Sequence, residues 1–377
     1  MAVGFPAKTD FATGDVLTAT NVNDITGTLN LLQETLYPAG RNKIINGDFN
    51  INQRAFTSVT ANAAFTFDRF KTTNGGTSGT STYTPQTFTP GTAPVAGYEG
   101  KNLLQIITAS YTVADSWGGI AQHIESVRTF AGQTVVFSFW AKASSGTPKL
   151  GIRVQQDFGS GGSPSSVVNT YATITAISTS WVRYSATISV PSISGKTVGT
   201  DNNDAIKFSL IVSAGSTTFD GAFGSMLQNN TFQTWGWQVE AASIGSTASP
   251  FQTASGSIGG ELALCQRYYY RAGASDSVAY AALSNAAFSQ STTITTGAIA
   301  LPVQMRVPPT ALDSSNVAFR QTSGTVTGMT SVTLDTTQGS TTVATIYGTT
   351  AAITANQPGF LVKNNNSAGY LGFSAEL

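Results

Sequence analysis

The side chains able to do covalent chemistry are few and scattered. The 377 residues contain one histidine, His123, and one cysteine, Cys265, so no Cys/His pair signals a nucleophile with its base or a zinc site. His123 falls in the alternating stretch GGIAQHIES and reads as a sheet residue. Cys265 lies in the apolar ELALCQRYYY and reads as a buried thiol. Hydrolysis between sugar rings would need only two carboxylates, and Asp48, Asp68, Glu99, Asp115, Glu125 and Asp157 are available, but no motif links any pair of them. Gly195, Lys196 and Thr197 imitate the end of a phosphate loop, yet the earlier glycine would fall at Val190. The DNNDA stretch from Asp201 to Ala205 lacks the glycine and distal glutamate of an EF-hand and reads as a solvated turn. The sequence therefore assigns no catalytic residue, no cofactor and no metal site.

Recognition through aromatic rings remains. Apolar faces of sugar rings stack on exposed Trp and Tyr, while amides and carboxylates fix the hydroxyls. Tyr98 in GYEG and Trp117 in ADSWGG sit in Gly- and Asp-containing stretches rather than in alternating runs, which makes them the glycan-binding candidates. The competing reading buries both in a sandwich core or between copies of the chain. Trp140, Trp181, Trp235 and Trp237 read as strand residues that pack, and the QRYYYR cluster as the closure of a sheet or an interface.

The elements that would position these groups are mostly strands. From Ile44 onward short alternating runs are broken by Gly, Pro, Asn and Ser, as antiparallel sheets require. In TVVFSFWAKA, Val135, Phe137 and Phe139 share one face and Val136, Ser138 and Trp140 the other. Further strands are predicted at 103–108, 150–155, 181–190, 206–213 and 234–240, and exposed loops at NGGTSGTS from Asn74 and GSGGSPSS from Gly159. The one helical pattern is a heptad seam of Val22, Ile25, Leu29, Leu32 and Leu36, weakened by Gly27 and ended by Pro38 and Gly40. Such a short seam is buried either between copies or against its own domain. The expected architecture is all-β: an N-terminal segment with a short helix (1–41), a jelly-roll β-sandwich (42–271) and a smaller C-terminal β-sandwich (272–377).

Charged residues are only 10% of the chain, with a formal net charge of zero, while 41% are hydrophobic. The chain should fold, and it lacks the basic footprint of nucleic-acid or anionic-membrane binding. No run reaches the ~20 apolar residues of a membrane span. The opening MAVGFPAKTD lacks a secretory pattern, so assembly in the cytoplasm is expected. A single cysteine leaves no intrachain disulfide to stabilise the fold.

The ordered set NKIINGDFNINQR, FDRF, GGIAQHIE, VVFSFWAKASSGT, SWVRYSATISVP, WGWQVEAAS and ELALCQRYYYR resembles the jelly-roll domains of phage tail fibres that are related to carbohydrate-binding modules. FATGDVLTATNVND is similar to a segment that opens many phage tail and virion proteins, and MRVPPT and YLGFSAEL resemble elements of small phage fibre domains. The resemblance implies a virion location, a homotrimer, attachment to other tail or capsid proteins through the N-terminal segment, and recognition of host cell-surface glycan. The rival expectations are a purely architectural capsid or tail-tip protein, or a polysaccharide depolymerase. Relatives of this kind carry a structural calcium between first and last strands, where Asp48 and Glu240 lie here. Gln238 replaces an acidic residue, and the ligand count falls short of what the ion needs.

Overall fold

The computed structural model describes residues 40–242, 247–273 and 277–377; the heptad seam at 22–36 lies outside them. Ten strands make the first unit: β1 (Phe70–Gly75), β2 (Thr80–Thr87), β3 (Asn102–Ala109), β4 (Trp117–Glu125), β5 (Thr134–Ala143), β6 (Leu150–Asp157), β7 (Val168–Ile174), β8 (Val182–Ser189), β9 (Ala205–Ala214) and β10 (Thr231–Ala241). They form two antiparallel sheets, ordered β1-β4-β9-β6-β7 and β2-β3-β10-β5-β8. This is the expected jelly-roll sandwich. Each predicted strand is present within a few residues, and the loop after Asn74 shrinks to residues 76–79 because its flanks are drawn into β1 and β2.

Alternation sends Phe137 and Phe139 into the space between the sheets, where they meet Trp237 at 5.2 and 6.1 Å between ring centroids. Phe70 packs edge-on against the same indole at 5.2 Å. Each large side chain fully buried in this way contributes about 1.5–3 kcal/mol of transfer free energy. Trp235 is only two residues from Trp237 and would share its face in a regular strand. The pairing of β10 with β5 shifts register between Trp235 and Gln238, and Gly236 between them takes a left-handed φ of 65°. That bulge turns Trp235 to the other side of the sheet, against Trp140 at 5.5 Å and Phe251 at 4.8 Å. A Cβ at Gly236 would come within 2.6 Å of the Trp140 ring, so no other residue fits there. The four tryptophans assigned to packing are buried or half-buried, with Trp181 against Phe88. Phe251 thus covers the outer face of β10 and β5, while the outer face of the other sheet is covered in part by the loop after β9 and reached by the C-terminal Leu377.

Helix α1 (Ile258–Gln266) follows, with Ser257 capping its N-terminus through the Gly260 amide at 3.1 Å. Alternation had suggested no helix here. Glu261 and Cys265, four residues apart, are the two side chains that α1 buries, which confirms Cys265 as an enclosed thiol. Then come β11 (Tyr269–Ala272), β12 (Ala286–Ser289), β13 (Ile294–Ala300), β14 (Ala311–Ser315), β15 (Val317–Gln321), β16 (Val326–Leu334), β17 (Val343–Thr350), β18 (Pro358–Lys363) and β19 (Tyr370–Ser374). The C-terminal β unit is present, and its two edges are joined: β12-β13-β17-β16-β15-β18 close into a barrel, beside a three-stranded sheet β11-β19-β14. Closure removes the open edges that a sandwich would leave.

The two units are locked by arginines lying on tyrosine rings. Arg54 lies 3.6 Å from the Tyr269 ring centroid and Arg69 3.3 Å from that of Tyr268, and Arg271 donates to the Gln53 carbonyl at 3.2 Å. Glu376 accepts from both Arg69 and Arg54. On the far side, Arg306 donates to the Asn202 carbonyl at 2.6 Å and to Asn203 Oδ1 at 2.7 Å. The DNNDA turn is thus a docking point rather than a freely solvated loop.

Candidate functional site

The outer face of β1-β4-β9-β6-β7 carries a cleft of about 440 Å³, within the range of small-ligand sites. Its walls are Trp117 at the start of β4, Arg153 on β6, Asn169 and Tyr171 on β7, and Phe219 and Asp220 from the loop after β9. Alternation explains the strand residues: Ile152 and Val154 enter the core, so Arg153 faces out, directly opposite Tyr171. Two glycines make room for rings. Gly75 accommodates the Trp117 indole, which a Cβ there would approach to 2.2 Å, and Gly151 accommodates Phe223, at 2.8 Å. Phe219, Phe223 and Met226 seat the loop on the sheet against Ile211 and Ala214.

Phe219, Asp220 and Gly221 are three consecutive left-handed residues, with φ of 52°, 56° and 72°. For the first two this conformation costs of order 1–2 kcal/mol each, and such strain gathers at ligand sites. It holds the Phe219 ring edge-on to Trp117 at 6.0 Å and beneath the Arg153 guanidinium at 5.1 Å. It also lets Asp220 accept the Tyr171 hydroxyl at 2.8 Å. The tyrosine is thereby pushed up to about 12, by burial first and then by that bond, and stays a donor. Asp115 at the rim accepts from the Thr77 amide and hydroxyl at 3.1 and 3.0 Å. The Thr77 amide holds its carboxyl below the usual range. Gln155 and Asn169 join at 3.0 Å one step along the sheet. The cleft thus offers an indole, a phenol, a guanidinium, an amide and carboxylates on a rigid floor, the set that grips polyhydroxylated rings.

The structure does not bring the two aromatic candidates together. Trp117 lines this cleft as a strand residue rather than a loop residue. Tyr98 lies by a separate cavity of about 360 Å³, where its ring packs on Trp235 and Phe251 and its hydroxyl donates to Asp48 Oδ2 at 2.7 Å. Arg153, Tyr171, Phe219 and Asp220 were not singled out in the sequence. Outward alternation in the predicted 150–155 strand was the signal available for Arg153.

The calcium implied by the sequence resemblance does not fit. Glu240 is taken by Arg41 at 3.1 Å, by Ser249 and by Gln238 at 2.9 Å. Asp48 Oδ1 and Asn50 Oδ1 are buried without hydrogen-bond partners, but neighbouring Glu261 is engaged by the Asn46 and Ser255 amides. Two free oxygens fall well short of the six to eight that calcium takes. Among the described residues no group of three or more His, Cys, Asp or Glu could hold a metal ion.

His123 is a sheet residue, as expected, on the same outer face opposite Lys207. Burial, then Lys207, Lys71 and Arg69, hold its imidazole well below the ordinary histidine value. Between the two values the unfolded chain binds a proton that the folded chain refuses, so this group removes stability as pH falls below about 6.5. His123→Gln should therefore gain melting temperature relative to the parent between about pH 7.5 and about pH 5. An unchanged difference at the two pH values would show that the imidazole protonates freely in the fold.

Residues 41–204 match the family model described as a carbohydrate binding domain. Among curated proteins none matches. Solved structures similar to the chain include the enzymatically active domain of tailspike protein 4 of bacteriophage CBA120 (11% identity, TM-score 0.30), with 53% of this chain and 21% of that one covered. The CBM22-2 xylan-binding domain of Xyn10C from Paenibacillus barcinonensis is 16% identical over 46% of this chain and 92% of that one, with TM-score 0.29. The family 11 carbohydrate-binding module of Clostridium thermocellum, in complex with a β-1,3-1,4-mixed-linked tetrasaccharide, is 10% identical over 50% and 97%, with TM-score 0.29. The first unit is thus similar, over residues 41–204, to a carbohydrate binding domain.

Proposed function

We propose that the chain is a glycan-binding structural protein of a phage particle, a homotrimeric tail-associated adhesin that meets host surface glycan through the cleft beside Trp117. The observation that carries the glycan reading is that cleft, lined by an indole, a phenol and a guanidinium, on strands of which most lie in the stretch matching a carbohydrate binding domain. The likeness of the FATGDVLTATNVND and YLGFSAEL segments to phage proteins supports the virion location and attachment to tail or capsid proteins. Three weak sites on one axis would act through avidity. Binding rather than cleavage suits the groups present. A glycosidase acid needs a raised pKa, whereas Asp115 is held low and the carboxyls raised by burial, Asp48, Asp68 and Glu261, do not line the cleft.

Trp117→Ala should weaken glycan binding at least ~10-fold, about 1.4 kcal/mol, with little change in melting temperature. Tyr98→Phe should leave binding unchanged and lower stability by about 1 kcal/mol, because Asp48 loses a donor. Glycan-array binding and mass photometry of the full chain test both parts. Binding that survives Trp117→Ala rules out this cleft, a monomer rules out the avidity mechanism, and an array without any signal favours a purely architectural role.

A further inference from the structure

One row crosses the outer face of β1-β4-β9-β6-β7 through paired positions: Lys71, Ala121, Ser209, Arg153 and Tyr171. The small residues at its centre, Ala121 and Ser209, are buried, and the two cations, Lys71 and Arg153, stand three strand spacings apart, about 14 Å. Arg153 is the anomaly in the row. Its Nε is buried without a hydrogen-bond partner, and the charged or polar neighbour acting on it is the Tyr171 phenol rather than a carboxylate. Both carboxylates in the cleft already have donors, Asp115 from Thr77 and Asp220 from Tyr171. Ser209 Oγ, next to Arg153 across the ladder, is likewise buried and unpartnered. A desolvated guanidinium without a counter-ion is costly, and its planar fork matches a carboxylate or sulfate through two parallel bonds.

We infer that the ligand of this cleft is an acidic glycan, whose ring carboxylate or sulfate is taken by Arg153. The inference rests on the glycan reading above. Trp117 supplies the stacking surface. Lys71, at the far end of the row, lies outside the cleft and donates to the Leu377 oxygen at 3.4 Å.

The test is an array of uronate, sialate, sulfated and neutral oligosaccharides probed with the full chain, its Arg153→Gln variant and its Trp117→Ala variant. Oligogalacturonate is then titrated beside the same oligosaccharide after carboxyl reduction. Signal should concentrate on acidic glycans and fall with salt. Arg153→Gln should weaken it about 10- to 100-fold without lowering melting temperature, and Trp117→Ala should remove it. Preference for uronates or for sulfated sugars identifies the anion. Neutral glycans bound as tightly as acidic ones, or an acidic preference that survives Arg153→Gln, would overturn the anionic class and leave the glycan reading standing. Silence across the whole array would overturn both.

Discussion

Trp237→Ala should lower the stability of the chain by about 3–5 kcal/mol, the usual loss for a large ring removed from a packed core. The indole is fully buried, meets Phe70, Phe137 and Phe139, and donates Nε1–H to Thr234 Oγ1 at 2.8 Å. Removing it leaves a cavity between the two sheets and takes one donor from the buried Thr234 hydroxyl, which keeps its bond to the Trp140 carbonyl at 3.1 Å. Trp237→Phe keeps most of the apolar volume and should cost clearly less. Urea midpoints at constant slope measure the difference. A loss under ~1 kcal/mol for the alanine variant would contradict the central position of this ring.

The second large effect falls on the joint between the units. Arg69 is 3% exposed; it lies on Tyr268, donates to the His123 carbonyl at 2.6 Å and pairs with Glu376. Arg69→Ala leaves the Glu376 carboxylate with Arg54 alone in a buried setting, a change that costs about 3–5 kcal/mol when one member of a buried pair is removed. Because the loss is concentrated at the joint, calorimetry should resolve two transitions where the parent shows one. Replacing both partners by apolar residues, Arg69→Met with Glu376→Leu, should recover most of the loss, since no buried charge is then left bare. A single unaltered transition in Arg69→Ala would mean that the units are held together elsewhere.

The sandwich was legible because alternation is a local signal. TVVFSFWAKA sends Phe137 inward and Trp140 outward as its period of two requires, although both are buried. The outer burial was not legible, since the lid over Trp140 comes from Phe251, far along the chain. Trp235 and Trp237 show the limit of periodicity: one glycine in a left-handed conformation reverses the face of the first. Helix α1 escaped notice because Gly259 and Gly260 weaken its first turn and its exposed and buried positions hardly differ in polarity. The Ser257 cap was the visible clue. The cleft was half legible. Trp117 was found by residue type, but Phe219 and Asp220 reach it by a backbone turn that no period encodes.

Strand β19 lies in the middle of its sheet, with β11 on one side and β14 on the other. During synthesis at ~5–20 residues per second, the jelly roll can close as soon as β10 has emerged. Strand β11 then waits, unpaired, until the ribosome has made everything up to Tyr370–Ser374. The joint is therefore the last part of the molecule to form, and a chain stalled within the barrel would display a finished cleft at Trp117 beside a bare, pairing-competent strand.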